Sequence, residues 1–261
     1  MKYQSLDIVI SDQVATVHLN RPAVRNAFDA NMIAEITEAF QQLGQNETVR
    51  AIVLAARGSV FSAGADLNWM KQMAGFSHEE NLADAHRLAA MLRTIYVCPK
   101  PVVAKVQGDC FGGGVGLVAA CDIAIAAADV NFSLAEVKLG LIPATISPYV
   151  IRAMGKNAAR RYFLTGELFS SQEAYRLGFV HEVAQAGVLD VKVNNIVKAL
   201  VFAGPHAVKE AKRLVRDVAG APLSDELIAE TAKRIADIRS SDEGREGVAA
   251  FLEKRKPGWL G

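Results

Sequence analysis

Apolar residues run or alternate over strand lengths at Ile8-Val9-Ile10 and at Val14-Ala15-Thr16-Val17-His18-Leu19, with Ser11-Asp12-Gln13 between them, which predicts a hairpin. After the turn Asn20 to Ala27, Asp29 caps a helix whose Ile33, Ile36, Phe40 and Leu43 share one face. A strand follows at Ala51 to Ala55 and ends in the small-residue loop Ser62-Ala63-Gly64-Ala65. Ser77-His78-Glu79-Glu80 reads as a capping box, opening a helix with Leu82, Ala85, Leu88, Ala89, Leu92 and Ile95 along one side until Pro99 and Pro101 end it. The next strand, Pro101 to Gln107, leads into Gly112-Gly113-Gly114, a short apolar helix over Val115 to Cys121 and a strand at Ile123 to Ala126. Asn131 to Leu134 is extended, and Ser170 to Glu173 caps a helix that Gly178 ends before a last extended piece, Phe179 to Val183.

From Lys156 onward strand patterns almost vanish. Helical periodicity follows at Leu189 to Phe202, Pro205 to Val218, Asp225 to Ile238 and Asp242 to Lys254, placing one boundary near residues 195 to 205. The chain divides into a mixed part, 1–200, and a helical part, 201–261.

The chain has 261 residues, of which 51% are hydrophobic, enough for a sizeable core. Lys plus Arg (29) nearly balances Asp plus Glu (28), so no global field draws in nucleic acid or an anionic membrane. Cys98, Cys110 and Cys121 lie in apolar sequence with no C-x-x-C pair, and read as buried free thiols with no metal site. The first residues lack a signal-peptide core, and the longest apolar run, Phe111 to Ala128, is broken by Asp122 and rich in glycine. A cytoplasmic location is the expectation.

The candidate chemistry starts at the glycine run. A strand, bare N–H groups and a helix N-terminus make a place to hold negative charge. Three readings compete there: glycines that only let a helix pack on a sheet, a G-x-G-x-x-A dinucleotide loop at Gly114 to Ala119 with Asp129 as the ribose acid, and an oxyanion hole. The second is weak, because only about two helical turns fit before the strand at Ile123. The third needs a second donor, and the bare loop at residues 62–65 ends the preceding strand. Glu136 is the candidate proton carrier. Phe132, Leu134, Leu139 and Ile142 stand close to it in sequence, and apolar company raises a carboxyl's pKa towards the range where it can both take and return a proton. His18 reads as a strand residue, His78 and His86 as surface residues; Asn68 to Met73 either covers a ligand or packs.

Taken together, Asn20-Arg21-Pro22 through Asn26-Ala27, Phe61 to Leu67, Gly112-Gly113-Gly114, Cys121-Asp122-Ile123, Glu136 with Leu139 to Pro143, Leu164-Thr165-Gly166 and Phe251 to Lys256 resemble the crotonase (enoyl-CoA hydratase/isomerase) family over nearly the whole length. The resemblance implies an α/β spiral of ββα turns with a C-terminal all-helical trimerisation region, giving homotrimers or dimers of trimers. It implies an acyl-CoA substrate and no separate cofactor, with the N–H groups of Ala65 and Gly113 meeting at the thioester oxygen and Glu136 catalytic. Arg25 and the backbone around Ala63, Asp66 and Leu67 would hold the CoA, and Phe251 and Lys254 of a neighbouring copy would reach its adenine end.

One position departs from the pattern. Gly116 stands where two-glutamate hydratases of the family carry their first glutamate. That leaves three readings: hydration through Glu136 alone, double-bond isomerisation, or a silent CoA-ester-binding protein. Ser147 and Tyr149 are further candidates to orient a water. Within the family, Gly64 to Met70 with Gly112 to Leu117 is most similar to hydratases of branched glutaconyl-CoA esters, such as 3-methylglutaconyl-CoA and isohexenylglutaconyl-CoA. A substrate of that kind carries a distal carboxylate, for which Lys71 and Arg87 are candidate partners.

Overall fold

The computed structural model describes residues 3–260. The hairpin forms as β1 (Leu6–Ser11) and β2 (Val14–Leu19), followed by α1 (Ala30–Gln45), β3 (Ala51–Ala56), α2 (Leu67–Met73), α3 (His78–Val97) and β4 (Val102–Val106). Next come β5 (Cys110–Phe111), α4 (Gly113–Ala120), β6 (Ile123–Ala127), β7 (Asn131–Ser133) and α5 (Ser147–Thr165). The remainder is β8 (Leu168–Ser170), α6 (Ser171–Arg176), β9 (Glu182–Ala184), α7 (Leu189–Phe202), α8 (Pro205–Val218), α9 (Asp225–Ser240) and α10 (Asp242–Leu252).

Among the described residues the large sheet has the order β1-β2-β3-β4-β6-β9, parallel from β2 onward. Strand β3 is buried along its whole length, and its alternation divides two cores. Ile52, Leu54 and Ala56 face the main core with the buried sides of α1 and α3, whereas Val53 and Ala55 face a smaller cluster closed by Val193 and Val197 of α7. Burying each such valine, leucine or isoleucine side chain stabilises the fold by roughly 1.5–3 kcal/mol. Helix α7 therefore belongs to the sheet, and the chain leaves it at Ala203–Gly204.

A second layer runs beside the first. After β2 the chain reaches Phe28, after β3 it reaches Ser62 and Ala65, after β4 it reaches β5, and after β6 it reaches β7. Phe28 bridges Ala65, Ser62 bridges Cys110 of β5, and β5 pairs with β7, all in parallel. Each turn thus contributes one long strand, one short strand and a helix, which is the expected ββα spiral.

Several local expectations need correction. Helix α5 was not visible in the pattern because Pro148 opens it and Gly155, at φ +77°, breaks it midway. The proposed apolar face of α3 fails in its first turns, where residues 78–83 are exposed, Leu82 by 51%, while Asp84 is buried. Residues 68–73 form most of α2, and Trp69 packs into the core. Cys98 and Cys110 are buried as expected, but Cys121 is only partly covered. No helix among the described residues is long and apolar enough to cross a membrane, and no three His, Cys, Asp or Glu side chains converge there as metal ligands.

Candidate active site

The loop after β3 runs alongside the segment entering α4. The N–H groups of Phe61 and Ser62 both donate to Asp109 C=O, at 3.0 and 3.3 Å, and Phe111 N–H donates to Ser62 C=O at 2.9 Å. Carrying the Ser62–Cys110 pairing forward sets Gly64 beside Gly112 and Ala65 beside Gly113; a Cβ on Gly112 would lie 3.9 Å from Gly64 Cα.

The same pairing fixes where the amides aim. On the other flank of Ala65, Phe28 N–H donates to Gly64 C=O at 2.7 Å and Asp66 N–H donates to Phe28 C=O at 2.8 Å. In a parallel ladder the residue between two such bonds turns its own N–H the opposite way, so Ala65 N–H points from Phe28 towards the glycine run. It has no partner among the described residues, whereas Gly64 N–H is taken by Ser62 Oγ at 3.2 Å. At the start of α4, Val115 and Gly116 N–H return to Gly112 C=O at 2.9 and 3.4 Å, and the Gly113 N–H, at the positive end of the helix, has no partner among the described residues. Gly112 has φ +51°, a region that favours glycine. Gly113 permits contact of another kind: a Cβ there would sit 2.6 Å from the Phe28 ring.

Glu136 lies in a 3-10 turn, Ala135–Leu139, and comes up against the same loop, with Oε1 3.2 Å from where a Gly112 Cβ would be. Its Oε2 is buried without a hydrogen-bond partner among the described residues. Burial pushes this carboxyl above the usual glutamate range, opposed by a bond from its own backbone amide. The expected cause is half right. Phe132 and Leu134 are buried, but Leu139 is 64% and Ile142 73% exposed, and the carboxyl also sits against Gly112.

The remaining candidates are dispersed around this centre. Arg25 is exposed on a left-handed turn at φ +53°, and its C=O accepts from Ala63 N–H at 2.9 Å; Ala63 C=O itself is without a partner among the described residues. Leu67 is exposed at the start of α2, whereas Asp66 is fully engaged inside the protein. Its N–H donates to Phe28, its C=O accepts from Met70 N–H, and its carboxylate accepts from the Asn68 and Trp69 amides and from Arg21. Burial alone would raise that carboxyl, but these donors outweigh it and hold it below the ordinary aspartate value. Phe251 is 81% exposed, and Lys254 is exposed just beyond α10. Arg87 is tied to buried Asp84 at 2.8 Å, while Lys71 has no ion-pair partner among the described residues. Ser147 Oγ donates to Ala144 C=O at 2.8 Å, and Tyr149 packs edge-on to Tyr96 and lines a cavity of about 960 Å3 with Cys121 and Asp122.

Two residues of the Asn20 to Ala27 turn organise the site through side-chain roles that the sequence pattern did not reveal. Asn26 is wholly buried; its Oδ1 accepts from Arg21 N–H, and its Nδ2 donates to Arg57 and Val60 C=O at 2.8 and 2.9 Å. Arg21 bridges Asp29 and Asp66 at 3.0 and 3.1 Å. Together they lock the turn that presents Arg25 to the loop at Ala63. The available signal was an uncharged polar residue between Arg25 and Ala27 in a stretch leading to a core phenylalanine.

Two inward amides beside a half-buried carboxyl belong with a comparison that covers almost the entire chain: residues 9–261 match the family model Enoyl-CoA hydratase/isomerase. The chain belongs to the enoyl-CoA hydratase/isomerase family. Among similar members, a crotonyl-CoA hydratase of Syntrophomonas wolfei is 28% identical over 262 residues, covering 100% of this chain and 99% of its own. An enoyl-CoA hydratase structure from Shewanella pealeana is 43% identical with a TM-score of 0.96, over 99% of this chain and 97% of the other. Pseudomonas aeruginosa AtuE is 34% identical with a TM-score of 0.94, over 99% and 100%. These matches establish the crotonase fold, C-terminal helices included.

Proposed function

We propose that this enzyme is a hydro-lyase that adds water across the double bond of a 2-enoyl-CoA thioester, or removes it, with Glu136 relaying the proton. The observation that carries the reading is the single buried, unpartnered carboxyl oxygen next to two unpartnered amides. The thioester C=O accepts from Ala65 and Gly113 N–H, which strengthen their hold as it becomes an enolate oxygen; one such donor lowers the barrier by about 2.7–4 kcal/mol. Ionised Glu136 takes a proton from water as the water oxygen bonds to Cβ, and the π electrons move to the enolate. Glu136 then returns the proton to Cα on the same face. This chemistry needs no cofactor beyond the CoA that the substrate carries.

For the acyl group we propose a branched glutaconyl-CoA such as 3-methylglutaconyl-CoA, supported by the residue likeness at Gly64 to Met70. Of the two candidates, Lys71 is the proposed reader of the distal carboxylate, since Arg87 already pairs with Asp84. We place the CoA against Arg25, Ala63 and Leu67, with Asp66 shaping their loop. The exposed apolar side chains Phe202, Val215, Leu223, Val248, Phe251 and Leu252 support assembly through the C-terminal helices into a trimer or pair of trimers, which would bring Phe251 and Lys254 to a neighbour's site. Isomerisation is the second reading, favoured by Gly116, which leaves one carboxylate. Incubation with a panel of enoyl-CoA esters in 18O-water separates them: hydration labels the product and removes the conjugated thioester absorbance, whereas isomerisation leaves the product unlabelled.

A further inference from the structure

One turn along α4 from the Gly113 amide, at the i+3 position, stands Gly116, and it is buried. A Cβ built there would lie 2.2 Å from Ile146 Cγ2 and 2.8 Å from Ile146 Cβ, with Leu92 Cδ2 at 3.6 Å. Ile146 has little room to yield. It is β-branched and 2% exposed, and α5 starts from it, its C=O accepting from Tyr149 and Val150 N–H at 3.1 Å. Position 116 is therefore filled space, not a vacancy awaiting a side chain.

We infer that Ile146 is a positioning residue for the reaction: seated on Gly116, it bars a second acid–base side chain from α4 and makes Glu136 the only proton carrier. This rests on the hydration reading. Water then loses its proton to Glu136 as its oxygen bonds to Cβ, and the same proton returns to Cα, so no second protein group changes its protonation. The acid side of the kcat/KM–pH profile should show one ionisation, where two coupled carboxylates give two macroscopic steps.

The test compares Gly116→Glu, Ile146→Ala and the double variant in the full chain. Gly116→Glu alone is expected to lower Tm, and the double variant to melt above it. The double variant should gain a second ionisation in its pH profile. Placed in a Glu136→Gln background, it should hydrate on the order of 10-fold faster than Glu136→Gln alone, part of the roughly 10²–10⁴ that a positioned acid–base group contributes. A merely structural Ile146 would change Tm without changing the number of ionisations. Either of two results overturns the inference: a double variant no more stable than Gly116→Glu, or a folded double variant with one ionisation and no recovery. The melting comparison needs no substrate, so it is read apart from the hydration assay. If the unaltered enzyme hydrates no ester of the panel, the hydration reading falls and the single-carrier claim falls with it, while the melting comparison still reports the packing of Ile146 on Gly116.

Discussion

Glu136 is half-buried with Oε2 unpartnered, so ionising it in the fold is harder than in the unfolded chain. Its folded pKa is raised, and the linked stability is therefore present below the unfolded value and lost as pH rises through the folded one. Glu136→Gln cannot ionise, so it should melt above the parent near about pH 8, with the gain shrinking towards about pH 4. Thermal scans across that range check this; a variant that melts lower at the alkaline end contradicts it. At Gly113, the Phe28 ring leaves no space for a methyl group. Gly113→Ala should displace the amide and reduce kcat by about 10²–10³ with a smaller change in KM, measured by steady-state hydration. Both residues were legible as residue types, a carboxylate in apolar sequence and a bare loop before a helix. What buries Glu136 was not, because the contact with Gly112 joins two turns of the spiral that no local pattern connects.

The elements that hold the site are short and depend on polar side chains turned inward. Asn26 ties the Arg21–Asn26 turn to the Arg57 and Val60 carbonyls and sustains left-handed backbone at both Arg25 and Asn26. Asn26→Ala should destabilise the protein by about 1–3 kcal/mol for each buried group left unpaired, read from urea unfolding, and should raise KM for the CoA ester by loosening Arg25 and Ala63. Unchanged stability would show that water replaces the amide. Long periodic elements such as α1 and α7 could be read from the sequence because burial follows their period. Helix α5 could not, since Pro148 and Gly155 interrupt its pattern, nor could the exposed first turns of α3, whose apolar residues carry the period of a core face without being in the core. The two-residue strand β5 is too short for any period, and its pairing is set by neighbours far along the chain.

Across the molecule, the sheet with its second layer fixes the site, and the C-terminal helices attach through few points. Lys212 Nζ on α8 donates to Asp122 at 2.7 Å and to Lys100 C=O at 3.0 Å, joining the helical part to the end of α4. Lys212→Met should leave the Lys100 carbonyl without that donor and accelerate amide exchange in α8 while leaving β3 and β4 protected; exchange mapped by mass spectrometry checks it. The thinning of strand patterns after Lys156 was visible in the sequence and the ββα spiral came from the family likeness, whereas the parallel pairings of the second layer, between residues far apart in the chain, had no sequence signal. The proposed hydration depends on Glu136 acting where the Ala65 and Gly113 amides meet, and the most direct test is turnover by Glu136→Gln alongside its affinity for an enoyl-CoA ester. The prediction is binding within a few-fold of the parent by calorimetry and hydration slowed by about 10²–10⁴; hydration at the parent's rate by a variant that binds normally would contradict it.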